Sequence, residues 1–248
     1  MKLISLSSFG KKISGTSFPV RRLFCLWLLM SMLGVASTDG AEVKLFGDLE
    51  QFVRARENEF DQISDERKEQ LGGITRFVEK QRQADKVAAL TFICTHNSRR
   101  SHMSQLWAEI AAARFGIEGV QTYSGGTEVT AFNPRAVASL ERAGLKIEKL
   151  DDANNPKYSV TYAEGGEAQT CFSKVYSTSP NPTEDFCAVM TCSSADANCP
   201  LVSGASARVS IPYEDPKVAD GTPGETAKYD ERCAQIAREM LYAFSQVK

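Results

Sequence analysis

The chain has 248 residues, 42% of them hydrophobic and 24% charged, and a formal net charge of −2. That composition suits one globular domain with extensions. Residues 1–37 hold five Lys or Arg and no acid, so the remainder carries −7 and argues against a nucleic-acid groove. Only two histidines are present, and the seven cysteines lack paired Cys-x2-Cys spacing, so no metal site is expected.

Lys2, Lys11, Lys12, Arg21 and Arg22 precede an apolar run from Leu23 to Ala36. The run is shorter than the roughly 20 residues of a membrane span, and small residues near Ser37 suit a peptidase. Residues 1–37 therefore read as a signal peptide, which implies export to the periplasm and no stable membrane span in the mature protein. A true start at Met30 or Met32 would remove the run and leave the protein cytoplasmic. Residues 42–86 follow as a helical extension. Leu45, Leu49, Phe52 and Val53 share one face, and Leu71, Ile74, Phe77 and Val78 repeat the spacing after Ser64-Asp65-Glu66. Two helices joined near 61–64 are expected, packed on the domain that follows or on a partner.

The domain that follows spans 87–248. An apolar strand, Ala88–Ile93, runs into Cys94-Thr95-His96-Asn97-Ser98-Arg99-Arg100-Ser101, a Cys-x5-Arg loop that opens a helix to Arg114. A cysteine just before a helix N-terminus sits among unpaired N–H groups and the positive end of the dipole, which favours its thiolate. The same N–H groups form a nest for a tetrahedral oxyanion. Arg100 can reach back and clamp two of the anion's oxygens. Cys94 is thus the candidate nucleophile, and Thr95, His96, Asn97, Ser98, Arg99, Arg100 and Ser101 the candidate oxyanion cradle.

Val120–Ser124 is the next strand, closed by Gly125-Gly126. Asn133-Pro134 caps a helix that Gly144 ends. Residues 151–184 are turn-rich and read as an insertion, with strand-like runs at 158–162 and 171–176 that suit a hairpin. Phe186–Thr191 is a buried strand, Arg208–Ile211 the last strand, and Tyr229, Cys233, Ile236, Met240 and Phe244 mark a final amphipathic helix. The alternation predicts an α/β fold, a four-stranded parallel sheet with helices on both faces, preceded by the helical extension. Ligands of such sheets bind beyond the strand carboxyl ends, where Cys94 lies.

Cys94 to Ser101, Tyr123-Ser124-Gly125-Gly126, Asn133 to Val137 and Asp215-Pro216 together resemble the low-molecular-weight protein tyrosine phosphatase superfamily. Val189 to Pro200, with Cys192 and Cys199, resembles the redox segment of its thioredoxin-coupled arsenate reductase branch. The resemblance implies Cys94 as nucleophile, Arg100 as clamp, Asn97 and Ser101 as groups that hold the loop and stabilise the thiolate, and Asp215 as the acid for the leaving oxygen. It also implies a relay in which Cys192 resolves a thiol–arsenate adduct on Cys94 and Cys199 then attacks Cys192. No cofactor is bound in such enzymes; a thioredoxin-like dithiol supplies electrons, and arsenate or a phosphate ester is the substrate.

The alternative is a phosphomonoesterase that works through a phosphocysteine; a non-catalytic oxyanion binder comes third. His96 stands where the family has glycine, which implies either a loop conformation free of strain there or an imidazole beside the anion. Arg99 replaces a frequent cysteine and adds positive charge. No tyrosine follows Asp215-Pro216, which weakens the phosphatase reading. Cys192 and Cys199 could instead form a structural disulfide, Cys171 and Cys187 are either bridged or free, and Cys233 falls on an apolar helix face.

Overall fold

The computed structural model describes residues 43–198 and 201–248. The export segment assigned to 1–37 and the thiol of Cys199 lie outside the described residues. The extension forms α1 (Gly47–Glu57), a 3-10 turn (Phe60–Gln62) and α2 (Asp65–Gln83). Ser64 starts α2 by accepting a hydrogen bond from the Arg67 N–H at 3.2 Å, with Asp65 and Glu66 in the positively polarised first turn. Leu49, Val53, Leu71, Ile74 and Val78 are buried in the same core as Leu90, Phe92, Trp107, Ile236 and Phe244, so the extension packs on the catalytic domain.

Strands β1 (Ala88–Cys94), β2 (Val120–Gly126), β6 (Phe186–Met190) and β7 (Ala205–Ser210) form a parallel sheet in the order β2-β1-β6-β7. Every residue of β1 and β6 is buried, which explains their unbroken apolar runs. One face, with Leu90, Phe92 and Val189, packs against residues of α2, α3 (Arg100–Arg114) and α6 (Glu225–Ser245). The other face, with Ala89, Ile93, Ala188 and Met190, is covered by a smaller cluster. Its helical cover is α5 (Ser193–Asn198), six residues long, helped by Tyr176 from the insertion.

The insertion is more than a hairpin. β3 (Lys146–Lys149) joins β4 (Tyr158–Thr161) and β5 (Gln169–Cys171) in a separate antiparallel sheet, β3-β4-β5. The second strand-like run, expected at 171–176, ends at Cys171. Beyond it the chain leaves the small sheet, and Val175 bridges in parallel to Gly126 at the end of β2. α4 (Pro134–Arg142) begins as its sequence predicts, with Asn133 accepting from the Arg135 N–H at 2.9 Å. Among the described residues no helix is long and apolar enough to cross a membrane.

Glu109 on α3 faces this small sheet. Its carboxylate meets Thr122, Tyr162 and Gln169, and burial pushes its pKa up to about 7 against those hydrogen bonds. Folded Glu109 therefore keeps its proton to higher pH than it does in the unfolded chain. The unfolded state binds fewer protons between the ordinary glutamate value and neutrality, so stability falls as pH rises through that window. Glu109→Gln should flatten this decline and add on the order of 2 kcal/mol at alkaline pH, as urea unfolding at about pH 5 and about pH 8 will read.

Candidate active site

Cys94 closes β1, and the loop to Arg100 turns directly into α3. The loop carbonyls are tied to surrounding elements. That of Cys94 accepts from the Thr127 N–H at 3.2 Å, Thr95 from the Glu128 N–H at 2.8 Å, and Ser98 from the Asn133 N–H at 2.9 Å. The His96 carbonyl accepts hydroxyl bonds from Thr130 at 3.1 Å and Ser173 at 2.9 Å. Because a trans peptide points its N–H opposite to its carbonyl, outward carbonyls turn the following N–H groups of Thr95, His96, Asn97 and Arg99 inward. That is the nest a tetrahedral oxyanion requires.

Asn97 holds the turn. It takes the left-handed conformation at φ 43°, a region asparagine tolerates better than most residues. His96 is therefore not the strained position, and its half-exposed ring pairs with Glu128 at 3.4 Å. The Asn97 Oδ1 accepts from the Lys174 N–H at 2.9 Å, which fixes the amide so that its Nδ2 donates to Ser101 Oγ at 2.9 Å. With one lone pair of Ser101 so engaged, its hydroxyl hydrogen is free for Cys94 Sγ, 3.1 Å away. The thiolate thus has a positioned donor as well as the helix N-terminus. Gly126 lets the loop lie this close, since a Cβ there would stand 2.7 Å from the Asn97 nitrogen and the Thr95 carbonyl.

Arg100 donates through Nη1 to the Tyr213 carbonyl at 2.9 Å and through Nη2 to Asp215 at 2.7 Å, while its buried Nε has no partner. Freeing Nη2 from Asp215 would give an anion the Nε–Nη2 edge, with Nη1 still anchored. Arg99 reaches Asp215 as well, at 2.8 Å from its Nε. Burial pushes the Asp215 carboxyl up, but Arg100 and Arg99 outweigh it and hold the pKa below the usual aspartate value. Cys94, His96, Ser98, Arg99, Arg100 and Asp215 line one small recess. A wider recess beside it is lined by Thr130, Asn133, Pro134 and Lys217 with His96 and Arg99, and offers no Phe, Tyr or Trp for an aryl ring to stack on.

Cys192 lies two residues beyond β6, beside the end of β1, where Ile93 pairs with Met190. Its Sγ is 3.5 Å from the Thr95 hydroxyl and accepts from the Ala195 N–H at 3.3 Å. The structure thus brings Cys94, Arg100, Asp215 and Cys192 to one end of the sheet. Cys171, Cys187 and Cys233 are free and buried, and burial pushes their thiols up to about 12, 12 and 11. The Cys233 thiol accepts from the Trp107 indole at 3.3 Å, as a core residue would. His102 is fully buried against Phe132, and burial, with the charge of Lys174, keeps its imidazole well below its ordinary pKa. Among the described residues no cluster of three or more His, Cys, Asp or Glu could hold a metal.

A model of the low molecular weight phosphotyrosine protein phosphatase family matches residues 89–157, which contain the whole Cys94–Arg100 loop. Residues 89–157 are thus similar to that family. The chain's curated relatives are arsenate reductases. One from Bacillus licheniformis is 26% identical over 156 residues, 62% of this chain and 93% of that protein. Arsenate reductase 2 of Staphylococcus epidermidis is 26% identical over 125 residues, 50% of this chain and 76% of that protein. Among solved structures, an arsenate reductase in the phosphate binding state gives a TM-score of 0.42 at 17% identity, over 65% of this chain and 100% of that one.

Three residues of the insertion support the loop, and no motif announces them. Ser173 and Lys174, from the insertion, hold the loop from outside, and Asn155 fixes Ser173 by accepting its N–H at 3.1 Å and donating to its carbonyl at 2.8 Å. A turn-rich stretch with a Ser-Lys step carries no signal for such contacts. Asn97→Ala should weaken competitive binding of phosphate or arsenate at least about tenfold and destabilise the fold by about 1–3 kcal/mol, since it loses two buried hydrogen bonds in a left-handed residue. Asn97→Gly should recover part of the stability but not the binding, read by isothermal titration and thermal melting.

Proposed function

We propose that the chain is an arsenate reductase that uses Cys94, Cys192 and Cys199 in sequence. The observation that carries this reading is the place of Cys192, at the end of the strand beside Cys94 and against Thr95 of the oxyanion loop. Similarity to arsenate reductases supports it. Arsenate seats in the nest with Arg100 across two of its oxygens. The Cys94 thiolate attacks arsenic, an S–As bond forms, and one arsenate oxygen departs as hydroxide or water. The Cys192 thiolate then attacks the Cys94 sulfur. The S–As bond breaks, its electron pair stays on arsenic, As(V) becomes As(III), and the two thiols become a Cys94–Cys192 disulfide.

Cys199 would next attack Cys192, which frees the Cys94 thiolate and passes the disulfide to a pair that a thioredoxin-like dithiol reduces. With residues 1–37 as an export signal, that dithiol would have to serve the periplasm, because an oxidising compartment otherwise locks the pair. The phosphomonoesterase alternative needs only Cys94, the loop and Asp215, with water resolving a phosphocysteine.

Assays with arsenate plus a dithiol and with an aryl phosphate, on one preparation, separate the two. Cys94→Ser should fall below about one percent of wild type in either assay, because the nucleophile is gone. Cys192→Ser should stop catalytic arsenite release while leaving any aryl phosphate hydrolysis within a few fold. Arsenate reduction by Cys192→Ser at the wild-type rate would overturn the reductase reading.

A further inference from the structure

Asp215 is held on every lone pair. Its Oδ1 accepts from Arg99 Nε at 2.8 Å and from the Lys217 backbone N–H at 3.1 Å. Its Oδ2 accepts from Arg100 Nη2 at 2.7 Å and Arg99 Nη2 at 3.4 Å. A carboxylate has about four acceptor positions, and here an N–H points at each. In the empty loop a proton on either oxygen would have to sit where a donor hydrogen already points. The remaining neighbours do not offset this. Tyr229 on α6 gives its hydroxyl to Asp220 at 2.9 Å, Glu214 pairs with Lys228 and Arg232, and Cys94 lies across the recess.

The two arginines part company when an anion arrives. Arg100 has a buried, partnerless Nε, and an anion could take both Nε and Nη2 only if Nη2 exchanged Asp215 for it. Arg99 makes its two bonds to Asp215 with Nε and Nη2, the edge an oxyanion would need, so its fork stays on the carboxylate. Asp215 then gives up one of its four bonds, on Oδ2, and keeps those from Arg99 and the Lys217 N–H, so Arg99 is the cation left to it when the loop is occupied.

We propose that Arg99 is a positioning residue that keeps Asp215 ionised during turnover and thereby sets the enzyme against phosphate esters of poor leaving groups. In the attack on such an ester the Cys94–phosphorus bond forms, the phosphorus–oxygen bond breaks, and the electron pair goes to the ester oxygen. With Asp215 unprotonated that oxygen leaves as a bare alkoxide and takes its proton from water afterwards. Phenolates of acidic phenols tolerate this, and alkoxides do not. The esters that remain are those of acidic phenols, and the proposal does not require the reductase reading. The lowered pKa of Asp215 agrees with it.

The test compares full-length wild type, Arg99→Met and Arg99→Lys. The carboxyl carbon of Asp215, assigned with Asp215→Asn, is titrated by NMR, and hydrolysis of p-nitrophenyl and phenyl phosphate is followed against pH. Removing one of two guanidiniums should raise the Asp215 pKa by about one unit. It should move the alkaline limb of hydrolysis upward by a similar amount and narrow the rate ratio between the two esters about tenfold. Arg99→Lys, which keeps charge but not the fork, should lie between. An Asp215 titration unchanged in both variants would overturn the proposal, as would a shifted titration with an unchanged ester ratio in an active enzyme. Arsenate reduction is scored separately: a shift in Asp215 without any arsenite leaves Arg99 its role and removes the reductase reading, whereas arsenite formation with an unmoved Asp215 does the reverse.

Discussion

The left-handed turn at Asn97 is the constraint on which the site depends. An L-residue there costs about 1–2 kcal/mol, and the two bonds its side chain makes, to the Lys174 N–H and to Ser101, offset that at about 1 kcal/mol each. The turn reverses the chain so that successive carbonyls face Thr127, Glu128, Thr130 and Asn133 and the N–H groups face the recess. The same amide frees the Ser101 hydroxyl hydrogen for Cys94. Loop shape and thiolate stabilisation therefore rest on one side chain.

The clamp has support of its own from the N-terminal extension. Arg67 on α2 donates to the carbonyls of Ile211 and Pro212 at 3.3 and 3.4 Å, pairs with the buried Glu239, and lies over the Tyr213 ring. Tyr213 in turn presents the carbonyl that anchors Arg100. The segment carrying Asp215 is thus held from behind by the N-terminal helices, which gives that extension a structural reason to share the core of the catalytic domain. Breaking a buried pair such as Arg67–Glu239 leaves a charge without a partner, a cost of about 3–5 kcal/mol in general.

Much of this was legible in the sequence because it is local. An apolar run ending in Cys94, an Asn-Pro cap at 133–134, and helical spacing from Leu71 to Val78 each state their structure within a few residues. Four parallel strands follow from the alternation of such patterns. What the sequence hid is contact between distant segments. Ser173 and Lys174 support the loop across about eighty positions by bonds in which a backbone group is the donor or acceptor, so residue type gives little warning. Glu109 reads as an ordinary helix acid until Tyr162 and Gln169 close over it. The site roles of Arg99 and Arg100 diverge only through the placing of Asp215, and neighbouring arginines look alike in a string of letters.

The proposed reduction requires that sulfur, rather than water, resolve the adduct on Cys94. A single turnover of Cys199→Ser with arsenate, followed by acid quench and peptide mapping, tests this most directly. Stoichiometric release of arsenite and a peptide pair joined through Cys94 and Cys192 are expected. Arsenite released without that link, or no arsenite when the wild type is given arsenate with any dithiol, would contradict the proposed reduction.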